Sequence, residues 1–360
     1  MEKLLFITQK FDKDDDILGV YHCWIEKLSE KVGEIKVICL YRGKVDLPSN
    51  VSVYSLDKES GQSRLKYIFR FYKYIWKLRH DYDVVFVHMN PVYIALGGCF
   101  WKLWGKKILL WYNHPMGNLM AKTGIFFSDK VFCTSLYSFS AEYKKTTIMP
   151  VGIDTDLFRP MPEVPQKNNR ILFLGRISPI KKIEILIEVV KILDSQDVDF
   201  ELLIVGSPVS DKDRVYETRL KKVASELISK GKIVFQSSVP NYKTPEIYNS
   251  SVVFINLTPT GSFDKTTLEA MACGLPILAS NKIFESLLPE AIKNFCVFKE
   301  NNPQDLSQKI SFLFSLDNSE MRAIGKRFRE LIVINHGLDN LIENLVIVFN
   351  RIEQDSRLFI

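Results

Sequence analysis

Two stretches of this 360-residue chain combine cations, glycines and small hydroxyl residues in spacings suited to holding a phosphate. The first is ILFLGRISPIKK, residues 171–182. A short apolar run ends at Leu174, Gly175 lets the backbone turn, and Arg176 and Lys181 follow on the loop before the next helix. An arginine fork and a lysine point charge beside such a turn can clamp a diphosphate. The same residues also suit a plain turn with two solvated cations. The second stretch is LTPTGSFDKTTLEAMACGLPILAS, residues 257–280. A strand there runs into the loop Gly261, Ser262, Phe263, Asp264, Lys265, Thr266, which opens a helix near Thr267. Loop amides and a helix N-terminus together attract an anion without a metal. Glu269, expected in the first helical turn, would repel phosphate but accept hydrogen bonds from ribose hydroxyls. Its alternative role is a favourable charge near a helix N-terminus.

The first half of the chain offers further polar residues at strand ends. His114 follows the apolar run KKILLWYN, and His88 closes DVVFVHMNP. An imidazole in either place can hydrogen-bond a sugar hydroxyl or stabilise charge at a reacting centre, or can simply be a turn residue. The loop QKFDKDDDILG, residues 9–19, follows the first strand and is expected to border an acceptor site through Asp16 and Gly19. Asp12, Asp14 and Asp16 have the opening spacing of a calcium loop, but Ile17 stands at the required glycine and Cys23 at the final glutamate.

The segment Arg64–Arg79 carries three helical stripes at about 100° per residue. Leu65, Ile68, Phe69, Tyr72, Ile75 and Trp76 form one, expected to face the core. Lys66, Arg70, Lys73 and Lys77 form a basic one. Tyr67, Phe71, Tyr74 and Leu78 form a third, expected at the surface unless a neighbouring loop covers it. Residues 61–107 hold nine Lys/Arg against two Asp/Glu, so an anionic membrane surface is the expected partner of this region. The docking residues on this reading are Lys66, Tyr67, Arg70, Phe71, Lys73, Tyr74 and Lys77.

Short apolar runs alternating with helical patterns must position these residues, the signature of parallel sheets covered by helices. Strands are expected at 3–8, 36–40, 84–88, 107–111 and 130–134, then at 170–174, 201–205, 232–236, 252–255 and 276–279. Between the halves, FRPMPEVPQKNNR (158–170) holds three prolines and a polar run, and reads as a linker. The expected division is an acceptor-side domain 1–160, a donor domain 161–336 and a C-terminal helix 337–360 that packs back on the first domain. Two such α/β domains would place a ligand in the cleft between them, at the carboxyl ends of their strands.

The bulk numbers narrow the class. A chain of this length suits two cores. The net charge of +6 does not by itself imply nucleic acid, and no nucleic-acid partner is expected. Six scattered cysteines without a Cys-x-x-Cys pair fit a reducing cytoplasm and neither a disulfide framework nor a zinc site. No stretch of 18 apolar residues suggests a membrane span. No Gly-x-Gly-x-x-Gly follows a strand, which disfavours a dinucleotide oxidoreductase.

The blocks VGIDTDLFRP, LFLGRISPIKK, LLIVGSP and LEAMACGLPILAS, in this order over residues 151–280, resemble glycosyltransferase family four. The resemblance implies a GT-B fold, a nucleotide-diphosphate-sugar donor and transfer with retention of anomeric configuration. It assigns Arg176 and Lys181 to the donor diphosphate, Glu269 to the donor ribose and a functional role to His114. Gly175, Gly206 and Val239 join the donor site, with base contacts expected from the loops 206–208 and 236–239. The donor enters as substrate, UDP- or GDP-linked, with no cofactor and no metal, and the acceptor is a glycan or a lipid-linked hydroxyl. One departure stands out: Gly261 occupies the position where the family carries a first glutamate, and Asp264 stands where a glycine is common. The sugar contact is then altered, with Asp264 or loop amides taking over, or catalysis is lost and a nucleotide-sugar-binding or scaffold protein remains. An epimerase or a glycan phosphorylase shares the same two-domain plan.

Overall fold

The computed structural model describes residues 3–61, 63–167, 169–261 and 263–357, with side chains as far as Ile352. The chain divides into two units, one formed by Met1–Gly152 with Leu338–Ile360 and the other by Ile153–Gly337. In the first unit, strands β1 (Lys3–Phe11), β2 (Glu34–Arg42), β3 (Val51–Ser55), β4 (Val84–His88), β5 (Lys107–Trp111), β6 (Lys130–Cys133) and β7 (Thr146–Ile148) make one sheet. Its order is β3-β2-β1-β4-β5-β6-β7, and every pairing is parallel. Successive side chains leave a strand on opposite faces. Leu4, Phe6, Phe86 and Trp111 therefore enter one core, while Leu5, Ile7, Val85 and Leu110 enter the other. Burial on both faces explains why these strands read as continuous apolar runs. The edge strands β3 and β7 escape the sequence reading because they are short and at best half-buried.

Between these strands run the helices α1 (Val20–Ser29), α2 (Arg64–Lys77), α3 (Val92–Leu103) and α4 (Leu119–Phe127). Trp24, Ile25 and Leu28 of α1 pack on one face of the sheet. Phe71 and Ile75 of α2, Ile94 and Trp101 of α3 and Ile125 of α4 pack on the other.

The orientation of α2 corrects the stripe assignment. Phe71 and Leu78 are buried, and Tyr67 and Tyr74 are half-buried against the same core, so the stripe expected at the surface faces inward. Leu65, Phe69 and Trp76, expected inside, are 78%, 71% and 56% exposed. Tyr67, Phe71 and Tyr74 are thus unavailable as docking residues, whereas Lys66, Lys73 and Lys77 remain exposed and Arg70 pairs with Asp57. The reason is that apolar residues ring most of the helix circumference. Periodicity then fixes a helix but not which arc meets the sheet.

The second unit has strands β8 (Arg170–Leu174), β9 (Glu201–Val205), β10 (Ile233–Gln236), β11 (Val253–Asn256) and β12 (Ile277–Ala279), parallel in the order β10-β9-β8-β11-β12. Its helices are α5 (Ile183–Ser195), α6 (Asp211–Val223), α7 (Ser225–Ser229), α8 (Thr244–Asn249), α9 (Lys265–Ala272), α10 (Ile283–Leu287), α11 (Glu290–Cys296), α12 (Pro303–Ser315) and α13 (Asn318–His336). α6 and α7 meet at Ala224. Reciprocal side-chain caps, Ser210 with Asp213 and Asp317 with Glu320, fix the starts of α6 and α13.

The chain passes between units at Gly152/Ile153, eight residues before the boundary expected after residue 160. The Arg329 guanidinium explains the difference. It donates to the carbonyls of Thr155 at 3.1 Å, Phe158 at 2.9 Å and Ala272 at 2.7 Å, which ties 153–158 to the second unit. The proline-rich 158–170 therefore lies inside that unit rather than between the two. The last helix, α14 (Leu338–Arg357), returns to the first unit, where Leu341, Leu345 and Phe349 complete the core around Trp24 and Phe86. Among the described residues no helix is long and apolar enough to cross a membrane.

Candidate functional site

In the second unit the strand order reverses between β8 and β11, and at such a switch point the loops leaving the two strands part to open a crevice. Those loops carry the two stretches, 171–182 and 257–280, whose residue types suit a phosphate. The β8 loop leaves through Gly175, whose amide donates to the Val205 carbonyl at 3.0 Å. Ile177 N–H reaches the Ser207 carbonyl at 3.2 Å, and Gly206 N–H reaches Gln236 at 3.0 Å. A Cβ on Gly206 would lie 1.9 Å from the Gly175 carbonyl oxygen, so only glycine permits this approach. Ser238 N–H bonds the Ser207 hydroxyl at 3.0 Å, which joins the two loops expected to meet a nucleotide base. Val239 lies half-buried on the second of them.

Lys181 is the hub of the crevice. Its ammonium donates to Thr258 Oγ1 at 3.0 Å and forms a salt bridge with Asp264, joining the β8 loop to the β11 loop. Asp264 is the N-cap of α9. Its carboxylate also accepts from Asn256 Nδ2 at 3.0 Å, Thr258 Oγ1 at 2.8 Å and Thr266 Oγ1 at 2.8 Å. Burial by itself would raise this carboxyl, but Lys181 and the hydroxyl donors outweigh it and hold Asp264 well below the usual carboxylate range. A carboxylate gathering a lysine, hydroxyls and a helix N-terminus has taken the place that a phosphate oxygen would suit. Arg176 is exposed on the same loop as Lys181.

Glu269 lies in the second turn of α9, not the first, because the helix begins at Lys265. It is 2% exposed, and its two oxygens accept from Asn241 Nδ2 at 3.0 Å and Tyr248 OH at 2.9 Å. Burial raises its pKa despite these donors. Gly261 is buried, Lys265 and Thr266 are half-buried, and Ser262 lies outside the described residues. Phe263 stacks edge-on against His336, with ring centroids 4.8 Å apart, and burial pushes that imidazole down to about 4. Asn241, Tyr248, Asn256, Thr258 and His336 were not singled out from the sequence. Asn256 and Thr258 flank the expected loop and could have been found. The other three come from distant segments with no motif of their own.

The first unit has its own switch point, between β1 and β4. Gly19 and Asp16 belong to the loop after β1, and His88 ends β4. Gly19 is required there, since a Cβ would meet the Asp15 carbonyl oxygen at 2.5 Å. Asp16 is exposed. Asp12 and Asp15 fold the loop on itself by accepting from backbone amides of residues 14, 44, 17 and 18. His88 is 3% exposed, packed among Phe6, Tyr21 and Trp24, with Nδ1 3.4 Å from the Thr8 hydroxyl. His114 is exposed after β5, and its Nδ1 lies 3.0 Å from both the amide and the carbonyl of Met116. Either tautomer is thereby held through Nδ1. Among the described residues no three His, Cys, Asp or Glu side chains group as metal ligands.

Residues 154–330, nearly the whole of the second unit, match the family model described as "Glycosyl transferases group 1". The chain is 28% identical over 154 residues to a D-inositol 3-phosphate glycosyltransferase of Acidothermus cellulolyticus, covering 39% of this chain and 34% of that protein. It is 24% identical over 216 residues to WcaL of Escherichia coli, named for colanic acid biosynthesis, covering 56% and 52%. The chain thus spans about a third to a half of the length of these relatives. The crystal structure of Anabaena HepE in complex with UDP and glucose superposes with a TM-score of 0.77 at 14% identity, covering 98% of this chain and all of that one. Two parallel-sheet Rossmann-like units with this likeness define a GT-B fold.

Proposed function

We propose that the chain transfers a sugar from a nucleoside-diphosphate donor, held in the second unit, to the hydroxyl of a glycan or lipid-linked acceptor with retention of anomeric configuration. The observation that carries this reading is Lys181 at the β8/β11 switch point, fixed against the N-terminus of α9, with Arg176 on the same loop. When the bond from the anomeric carbon to the diphosphate oxygen breaks, negative charge grows on the leaving group. Lys181, Arg176 and the amides opening α9 stabilise that charge. The acceptor oxygen bonds the same carbon, and its proton passes to the leaving diphosphate. Glu269 accepts the ribose hydroxyls, sharing its oxygens with Asn241 and Tyr248 or releasing one of them. The loops 206–208 and 236–239 take the base, uracil or guanine.

The fixed cations take the work a divalent metal does elsewhere, so EDTA should leave turnover intact. The kinship with WcaL supports a cell-envelope polysaccharide as the product class, made at the cytoplasmic face. Incubating the chain with UDP- and GDP-sugars and candidate acceptors, and following free nucleoside diphosphate and the anomeric proton of the product, tests the reading. A new glycoside of unchanged anomeric configuration supports it, and an inverted product removes the retaining mechanism. A second reading is favoured by Gly261 at the family's glutamate position together with the Asp264 carboxylate seated on Lys181. On that reading the chain binds nucleotide sugars without turning them over. Tight binding with no product on any acceptor would select it.

A further inference from the structure

The helices α2, α3 and α4, of 14, 12 and 9 residues, cover one face of the first sheet and contain seven lysines and arginines but no aspartate or glutamate. On the opposite face charges are mixed, with Glu26 and Lys27 on α1 and Asp339, Glu343 and Arg351 on α14. The outer surface of α2–α4 also exposes large apolar side chains. Leu65, Phe69, Trp76, Leu103 and Phe126 are 78%, 71%, 56%, 82% and 76% exposed. They are not isolated residues. Trp76 meets Trp104 at 5.7 Å between rings and Phe100 meets Trp104 at 5.8 Å, so the aromatic surface runs from α2 onto α3. A groove of about 660 Å³ between them is walled by Phe69, Trp76, Phe100 and Trp104 with Lys73 and Lys77. Along α2 the apolar stripe 65, 69, 76 lies directly beside the lysine stripe 66, 73, 77.

We propose that this face docks on an anionic lipid bilayer, with the apolar side chains entering the headgroup–acyl boundary and Arg64, Lys73, Lys77 and Lys122 facing lipid phosphates. Large exposed apolar patches mark interaction surfaces. The missing carboxylates then select the partner. A second copy of the chain would set two cationic faces against each other, a like-charge contact that costs affinity. A bilayer satisfies both halves of the surface at once, burying aromatic rings beside an excess of negative charge. Arg70 and Lys102 contribute less, because they are turned to Asp57 and Asp129. This surface belongs to the first unit, and the proposal makes no use of the candidate donor site in the second.

The test is flotation of the full chain with vesicles of phosphatidylcholine alone or mixed with phosphatidylglycerol. Each cation near an anionic surface contributes roughly fivefold in affinity. The wild type should bind the mixed vesicles at least about tenfold more tightly than the neutral ones, and Lys73→Glu with Lys77→Glu should lose about 30-fold or more. Phe69→Ser with Trp76→Ser should lose vesicle binding with an unchanged melting temperature, since both side chains are exposed. Tryptophan emission should shift to the blue on binding, less so in Trp76→Phe. Equal binding to both vesicle types, variants that bind as the wild type, or no binding at all would overturn the proposal. A dimer that depends on Phe69 and Trp76, without vesicle binding, would instead assign the face to a second copy.

Discussion

Asp264, half-buried, and Glu269, fully buried, are carboxylates near the start of α9, and their surroundings drive them apart. Asp264 is held ionised by Lys181 and three side-chain donors, with a pKa below its ordinary 3.8. Its contribution to stability is therefore complete above the unfolded value and is lost as pH falls through the folded one. Asp264→Asn should lower the melting temperature at pH 7, and the gap to wild type should narrow below about pH 4 in thermal melts across pH. Glu269 has the opposite sign. Its pKa is raised above 4.5, so stability is complete below that value and declines as pH rises through the folded one. Glu269→Gln should accordingly gain stability relative to wild type as pH rises above about 4.5, while losing nucleotide affinity about tenfold or more through the ribose contact. Calorimetric titration beside the melts separates the two effects. A variant that keeps full affinity would remove Glu269 from the donor site. The positions of both carboxylates were legible in the sequence, but their partners were not. Asn241, in the turn before α8, and Tyr248, on α8, carry no motif and meet Glu269 only through the folding of distant segments.

At the scale of elements, strands β4, β5, β8 and β9 fall where the apolar runs put them, because a strand buried on both faces leaves an unbroken signal. Edges and phases are less visible. β7 is three residues long, and the phase of α2 is hidden by apolar residues on nearly every side. The corrected phase makes a sharp prediction. Phe71→Ala should cost about 3–5 kcal/mol of stability, whereas Phe69→Ala should change it by less than about 0.5 kcal/mol. Chemical denaturation of the two variants checks this, and the reverse ranking would restore the orientation expected from the sequence. Gly206→Ala belongs to the same scale. Its Cβ must displace the Gly175 carbonyl, which should shift the loop carrying Arg176 and Lys181 and weaken nucleotide binding in a protein that still folds.

For the whole molecule, the sequence shows two α/β halves, yet the crossing points are set by contacts it does not display. Arg329 lies some 170 positions from the segment 155–158 that it ties down. The return of α14 to the first unit depends on Leu341, Leu345 and Phe349 meeting Trp24, a pairing across most of the chain. Phe349→Ala should therefore destabilise the first unit by about 3–5 kcal/mol. It should leave nucleoside-diphosphate affinity within about twofold, because every residue assigned to the diphosphate lies within Ile153–Gly337. The central claim is that this second unit seats a nucleoside diphosphate on Lys181 and Arg176. It is tested most directly by titration calorimetry of UDP and GDP into the wild type, Lys181→Ala and Arg176→Ala. Binding of one nucleotide by the wild type, weakened about tenfold or more in each variant, is the predicted result. No binding by the wild type, or equal affinity in all three proteins, would contradict it.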